Sequence, residues 1–306
     1  MITMSSTLPP FVTPLARRRS PIIAALLGLA IVLLGGCSLV KLGYGQAGSF
    51  AFRWLDGYVD FDDAQSLRVK VALDDWFAWH RRTQLGDYAD LLGKAQLEVA
   101  GEVTPERMCT WAGDVRTRVE TALERTLPVL VDVLPTLTPT QLANIEKRYR
   151  ERNEEYRDEF VQKDPVKRRR EAVRRELERS EQLYGSLDEA QREFVSKTVA
   201  TSPFDAELAY AERLRRQQDA LAMMKRVSAR GTAREEAEGQ IRAYVKRLDR
   251  SPRENYRAYS ERLVSYNCAF ASELHKRTTP AQRQAAVKKL RGYEADMREL
   301  AAEAAS

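Results

Sequence analysis

The sequence predicts an all-α protein, an elongated bundle of about nine or ten capped amphipathic helices. Three observations carry that expectation. Helix-start signals recur along the chain, and apolar residues between them advance by three or four positions. No alternating strand pattern with an Asn-Gly or Asp-Gly turn follows residue 60.

In chain order, residues 1–36 come first. Arg17-Arg18-Arg19 precedes the apolar run Ile22 to Leu34, and Gly35-Gly36-Cys37 follows it. A basic segment, a short apolar segment and small residues before a cysteine have the layout of an export signal. The layout resembles a bacterial lipoprotein signal, which implies acylation of Cys37 as the first mature residue. The run is shorter than the roughly 20 residues of a bilayer span, so an uncleaved anchor is the lesser alternative. By the same resemblance, Ser38 behind the cysteine implies an outer-membrane lipoprotein facing the periplasm. Residues 37–60 read as a tether, because Gly43, Gly45, Gly48 and Gly57 interrupt any periodicity.

Residues 61–306 read as the helical domain, either one elongated bundle or two packed lobes. Thr104-Pro105, Thr138-Pro139, Ser202-Pro203, Ser251-Pro252 and Thr279-Pro280 each set a hydroxyl before a proline. Proline suits the first helical position, where its missing N–H would have no partner anyway. Gln141, Glu254 and Gln282 then complete capping boxes with Thr138, Ser251 and Thr279. Asp205 holds the equivalent place after Ser202, Asp188 with Gln191 repeats the logic, and Asp164-Pro165 marks another start. Tyr256, Tyr259, Leu263, Tyr266, Phe270 and Leu274 form one continuous helical stripe. Similar stripes follow Thr138 and Ser202. On the helix after Pro165, Glu171 and Arg175 have the favourable i,i+4 spacing.

Charge and cysteines narrow the partners. Removing Arg17, Arg18 and Arg19 takes the 50 basic side chains to 47 against 44 acidic ones, a net of +3 instead of +6. So balanced a chain offers no field for a nucleic acid. Lys167-Arg168-Arg169-Arg170 is read as a solvated helix face, since no aromatic residues interleave it. With Cys37 lipidated, Cys109 and Cys268 remain. In an oxidising compartment they are expected to pair, and a link across 159 residues is worth about 4–5 kcal/mol in the loop-closure account. Two separately buried thiols are the alternative.

Catalytic options are few. Neither His80 nor His275 has a second His or Cys at metal-ligand spacing, and there is no GxSxG, P-loop or HExxH motif. The chain is therefore expected to be no enzyme and to need no cofactor or metal. Trp76, Trp79, His80 and Arg81, with Tyr88 nearby, form the densest aromatic cluster. They are the candidate partner surface, with core packing as the competing reading.

Two resemblances complete the picture. Cys37-Ser38, Trp54-Leu55-Asp56 with Tyr58, Trp79-His80-Arg81, Cys109 before Trp111, and Leu137-Thr138-Pro139-Thr140-Gln141 resemble a family of bacterial lipoproteins of unknown function. That likeness spans most of the chain and implies no particular activity. Leu137 to Gln141 is also similar to the LTxxQ motif of helical periplasmic chaperones of the Spy and CpxP type. Thr278 to Gln282 and Leu187 to Gln191 are variants of it, with Thr for Leu and Asp for Thr respectively. This second likeness implies client binding by a non-enzymatic protein. A structural envelope component, contacting peptidoglycan or a membrane protein, and an enzyme acting on envelope lipid or glycan are the alternatives.

Overall fold

The computed structural model describes residues 43–304; residues 1–36 and Cys37 lie outside the described residues. Among the described residues the fold is all-α, with twelve α-helices and one 3-10 turn. We number them α1 (Ala47–Val59), α2 (Asp63–Thr83), α3 (Leu85–Val99), α4 (Pro105–Glu124), α5 (Leu127–Val133), α6 (Pro139–Phe160), α7 (Pro165–Tyr184), α8 (Glu189–Thr201), α9 (Ala206–Val227), α10 (Arg234–Asp249), α11 (Glu254–Lys276) and α12 (Pro280–Glu303). None of them is long and apolar enough to cross a membrane.

The surplus over the expected helix count has physical causes. The segment read as a tether is helical over α1, despite Gly48 and Gly57, because the helix packs across α2 and α6. Tertiary contact overrides the roughly 1 kcal/mol that each helical glycine costs. A long helix breaks at Gln84, where Thr83 Oγ1 donates to Trp79 O at 2.8 Å and bends the ladder. Pro128, which has no N–H, separates α5 from α4.

Two predicted starts shift. Helix α9 begins behind Asp205, which accepts from Leu208 N, while Ser202 stays outside in extended backbone. Helix α11 begins behind Arg253 with no side-chain cap. Ser251 is instead buried next to Glu212, a carboxylate 1% exposed between Arg215 and Arg216. Burial alone would raise the Glu212 pKa, but hydrogen bonds from Arg215, Arg216 and Ser251 hold it at about 2. On α7, Glu171 pairs with Arg174 rather than Arg175, and Arg175 lies over the Phe160 ring.

Two apolar cores organise the bundle. In the first, Leu127 and Val131 of α5 meet Leu142 and Ile145 of α6, Met223, Met224 and Val227 of α9, and Ile241 of α10. In the second, Val99, Tyr184, Val195, Leu274 and Ala286 converge from α3, α7, α8, α11 and α12, joined by Leu187 from the α7–α8 connection. Helix α3 lies along α12, and α4 lies along α11. Cys109 of α4 is bonded to Cys268 of α11, with their Cα atoms 5.3 Å apart.

Each core carries one pair of opposed capping boxes. Thr138 and Gln141 cap α6, and an unforeseen box, Asp62 with Gln65, caps α2. The two glutamines face each other. Gln141 Nε2 donates to Gln65 Oε1 at 2.6 Å and to Asp60 O at 2.9 Å. Gln65 Nε2 donates to Thr136 O at 3.1 Å and to Gln141 Oε1 at 3.3 Å. The second core repeats the arrangement with Asp188–Gln191 and Thr279–Gln282. Gln191 and Gln282 exchange amide hydrogen bonds of 2.8 Å each way, and donate to Arg277 O and Ser186 O, also at 2.8 Å. Every glutamine oxygen also accepts from its own cap's backbone N–H. The amide is thus used in full, two donors and two acceptor sites.

Gln141→Ala should cost about 1–3 kcal/mol, because it removes one partner from each side of the buried Gln65 amide and takes the side-chain donor from the carbonyl of Asp60. Gln65→Ala combined with Gln141→Ala should cost clearly less than the sum of the single losses. Gln141→Glu should be at least as damaging as Gln141→Ala, since a carboxylate has no donor for either acceptor. Urea denaturation of the native protein, the two single alanine variants, the double variant and Gln141→Glu measures all three outcomes.

Candidate functional site

The first core is open on one side. Helices α1, α2 and α5 form the walls of a groove of about 1530 Å³. Its walls are Trp54, Leu55 and Tyr58 from α1, Leu67, Val71, Trp76 and Phe77 from α2, and Val129, Leu130 and Val133 from α5. Ile145 and Tyr149 of α6, Met224 of α9 and Ala237 of α10 lie deeper. Trp54 is 60% exposed, Leu67 66% and Val71 52%, and Phe50 on α1 adds a fourth large exposed apolar residue. Scattered single hydrophobic residues are ordinary on a protein surface; a contiguous set around a concavity marks a binding surface.

These residues fall at i,i+4 positions on their helices, Phe50 with Trp54 and Leu67 with Val71. Trp54 is tilted against Tyr58 at 4.9 Å between ring centroids, and Tyr58 meets Tyr149 of α6 edge-on at 6.1 Å. Polar groups are sparse and cationic in balance: Arg68, Arg125, Arg213 and Arg234 against Asp75 and Asp132. Arg234 is engaged with Asp132 at 2.7 Å, and Arg213 donates to Asn153 at 2.8 Å.

Of the four residues predicted as a partner surface, the groove takes one. Trp76 lines it, while its indole N–H donates to Ala122 O at 3.0 Å and its ring stacks on His80 at 4.8 Å and 15°. His80 is buried behind it, and Tyr44 Oη lies within hydrogen-bond distance of His80 Nδ1, at 2.7 Å. Trp79 lies under the Arg125 guanidinium, and Arg81 lies over the Tyr44 ring. Trp79, His80 and Arg81 therefore form an aromatic knot that docks residues 43–46 onto α2 rather than an open surface. Burial pushes the Tyr44 hydroxyl up to about 12 and His80 down, so the proton stays on the phenol and the imidazole is neutral.

His275 repeats this chemistry in the second core. Tyr184 Oη lies 3.0 Å from its Nδ1, and its Nε2–H donates to Gly101 O at 2.7 Å. With both nitrogens occupied and no exposed surface, it is a core histidine held neutral. Burial lowers its pKa, and the hydrogen bond to Gly101 opposes that only in part.

The side chains of Thr138, Gln141, Asp188, Gln191, Thr279 and Gln282 are engaged in the capping boxes and amide clamps. The glycines of Gly43-Tyr44-Gly45-Gln46-Ala47-Gly48 have the spacing of a dinucleotide-binding turn. Residues 43–45 and Gly48 are helical, so these glycines do not form the turn that gives the motif meaning. Among the described residues no three His, Cys, Asp or Glu side chains gather at metal-binding distance.

The family profile spans most of this architecture, from within α1 to within α11: a family of unknown function, DUF6279, matches residues 57–263. The chain belongs to that family. No curated protein and no solved structure matches it. The family span includes most of the groove's walls and the first amide clamp, and ends short of the second clamp's Thr279 and Gln282. Sequence reasoning missed Leu67, Val71, Arg68 and Arg125 as site residues, and used Trp54 only as a mark of family likeness. The i,i+4 apolar pairs on α1 and α2 were the available signal, but they also describe a buried helix face.

The buried neutral histidines set a pH dependence. Their folded pKa values lie below the ordinary 6.5, so the unfolded chain binds protons first as pH falls. Their stabilising contribution is complete above pH 6.5 and is lost as pH falls from there through the folded values, by at most about 1.4 kcal/mol per pH unit for each group. Urea midpoints measured between pH 7.5 and 5 should fall for the native protein, and His275→Gln should flatten that fall.

Proposed function

We propose that this chain is a lipid-anchored helical binding protein that faces the periplasm and holds an apolar segment of an envelope protein partner or client, without chemical conversion. The groove between α1, α2 and α5 carries this reading, with Trp54, Leu67 and Val71 exposed around it. Aromatic anchors beside a cavity are the usual centres of protein recognition. Anchoring at Cys37 rests on the sequence around it, and outer-membrane residence on Ser38.

The tether length agrees with a partner close to the membrane. Cys37 precedes Tyr44 by seven residues, a reach of at most about 25 Å. The Tyr44 ring meets Phe77, a groove residue, at 5.6 Å between centroids. An acyl group on Cys37 would therefore keep one end of the groove near the bilayer surface.

In-cell photocrosslinking tests the binding role. A photoreactive amino acid at Leu67 or Val71 should yield discrete protein adducts, weakened by Trp54→Ala, whereas the same probe at Val166, 74% exposed on α7, should not. Equal adducts at all three positions would remove the groove from the argument. The address has its own test: Cys37→Ala should abolish incorporation of labelled palmitate, and unchanged labelling would refute the anchor.

A further inference from the structure

Resting on the binding role proposed above, we infer that the groove's occupant is an amphipathic α-helix of a partner protein, apolar on one face and acidic along its flanks. Size gives the first reason. At about 1530 Å³ the groove exceeds the roughly 300–1,000 Å³ of small-molecule sites, and it continues onto exposed Trp54, Leu67 and Val71. It accommodates a length of polymer.

Backbone chemistry gives the second. An extended peptide can enter an apolar cleft only if something pairs its N–H and C=O groups, as a sheet edge does. The walls here are helices, whose backbone groups already bond within themselves, and there is no strand among the described residues. Each unpaired amide buried against Val71, Leu130 or Phe77 would cost about 1–3 kcal/mol. A helix satisfies its own backbone, so it is the form in which a polypeptide can occupy this groove. The paired ridges Phe50 with Trp54, and Leu67 with Val71, offer i,i+4 ridges against which a helix can pack.

Charge gives the third. With Asp132 taken by Arg234, the groove retains Arg68, Arg125 and Arg213 against Asp75 alone. Arg213 is turned to Asn153 and Tyr156, whereas Arg68 and Arg125 make no ion pair among the described residues. Acidic flanks on the incoming helix would pair with them, and basic flanks would be repelled.

The test uses the acylated chain in zwitterionic nanodiscs, with empty nanodiscs as background. Two fluorescent 18-residue peptides share one leucine face and differ in having glutamate or lysine flanks. The glutamate peptide should bind about tenfold more tightly at low salt, with the gap narrowing as salt rises. Arg68→Glu combined with Arg125→Glu should reverse the preference while leaving the thermal midpoint within a few degrees. A glutamate peptide broken by a central proline should bind at least tenfold more weakly. Equal binding of both flank types, or of the proline peptide, overturns this inference and leaves the binding role standing. Saturable binding of a fluorescent palmitate, weakened by Trp54→Ala, with neither peptide binding, would assign the groove to an acyl chain and overturn both. Failure of every probe together with absent groove crosslinks in cells would also overturn both.

Discussion

The interaction on which this architecture depends is the reciprocal amide exchange between glutamines at opposed helix starts. An α-helix leaves its first N–H groups without partners, and a capping box answers part of that need locally. Here the Gln side chain reaches further. Gln65 and Gln141 close the N-terminal ends of α2 and α6 against each other across 76 residues, and Gln191 and Gln282 do the same for α8 and α12 across 91. Gln65, Gln141 and Gln191 are buried, where a polar group is stabilising only when every atom is paired. Each clamp sits beside one apolar core, so helix initiation and tertiary register are set by the same bonds.

The first clamp also explains the groove. Gln141 donates to Asp60 O, and Asp56 Oδ1 accepts from Phe61 N at 3.0 Å, which together hold Asp60 in a left-handed conformation with φ of 62°. A non-glycine residue there costs on the order of 1 kcal/mol, and the surrounding bonds fix it. That turn reverses the chain so that α1 lies back over α2 and α6 as a groove wall. Helix α1 itself has no buried residue and no side-chain cap at its start. It is held at its ends, by the Asp60 turn and by the Tyr44 knot with His80 and Phe77, and between them by half-exposed contacts with α2 and α6. A wall so held is the part of the site best able to adjust to an occupant.

Much of this was legible in the sequence, and the remainder fails to show for identifiable reasons. The helical class, the caps at Thr104, Thr138, Asp164, Asp188 and Thr279, and the stripe from Tyr256 to Leu274 follow from local periodicity and capping chemistry. The pairing of Cys109 with Cys268 follows instead from the cysteine count, as the two left once Cys37 is set aside for lipid. The helix α1 was obscured because glycine frequency reports backbone freedom, not the contacts that override it. Ser251 misled because a tertiary partner, Glu212, competes for its hydroxyl, and Ser202 because its hydroxyl accepts from Phe204 N in a local turn while Asp205 takes the cap. The opposed glutamines read individually as caps; that they pair is a relation across many tens of residues. The groove is a relation of the same kind, made by α1, α2 and α5 together with α6, α9 and α10. The aromatic cluster around Trp76 drew attention for its density, yet density in one heptad describes a knot more readily than a cavity.

The surrounding surface sharpens what the groove's exposure means. Along α7, Arg174 pairs with both Glu171 and Glu178, and Arg242 with Glu238 on α10 repeats the habit. Such exposed i,i+3 and i,i+4 pairs stabilise weakly, a few tenths of a kcal/mol each, but they keep the outer faces wet. Against that background Trp54, Leu67 and Val71 are not a surface short of charge but a place where charge is withheld. The apolar track continues past the groove's end. Trp76 bonds to Ala122, and from there Leu123, Val119 and Val115 run along α4 at four-residue intervals, each about half exposed. A concave groove opening onto a helical apolar ridge offers more contact than its own volume suggests. That continuity favours an elongated partner over a compact one.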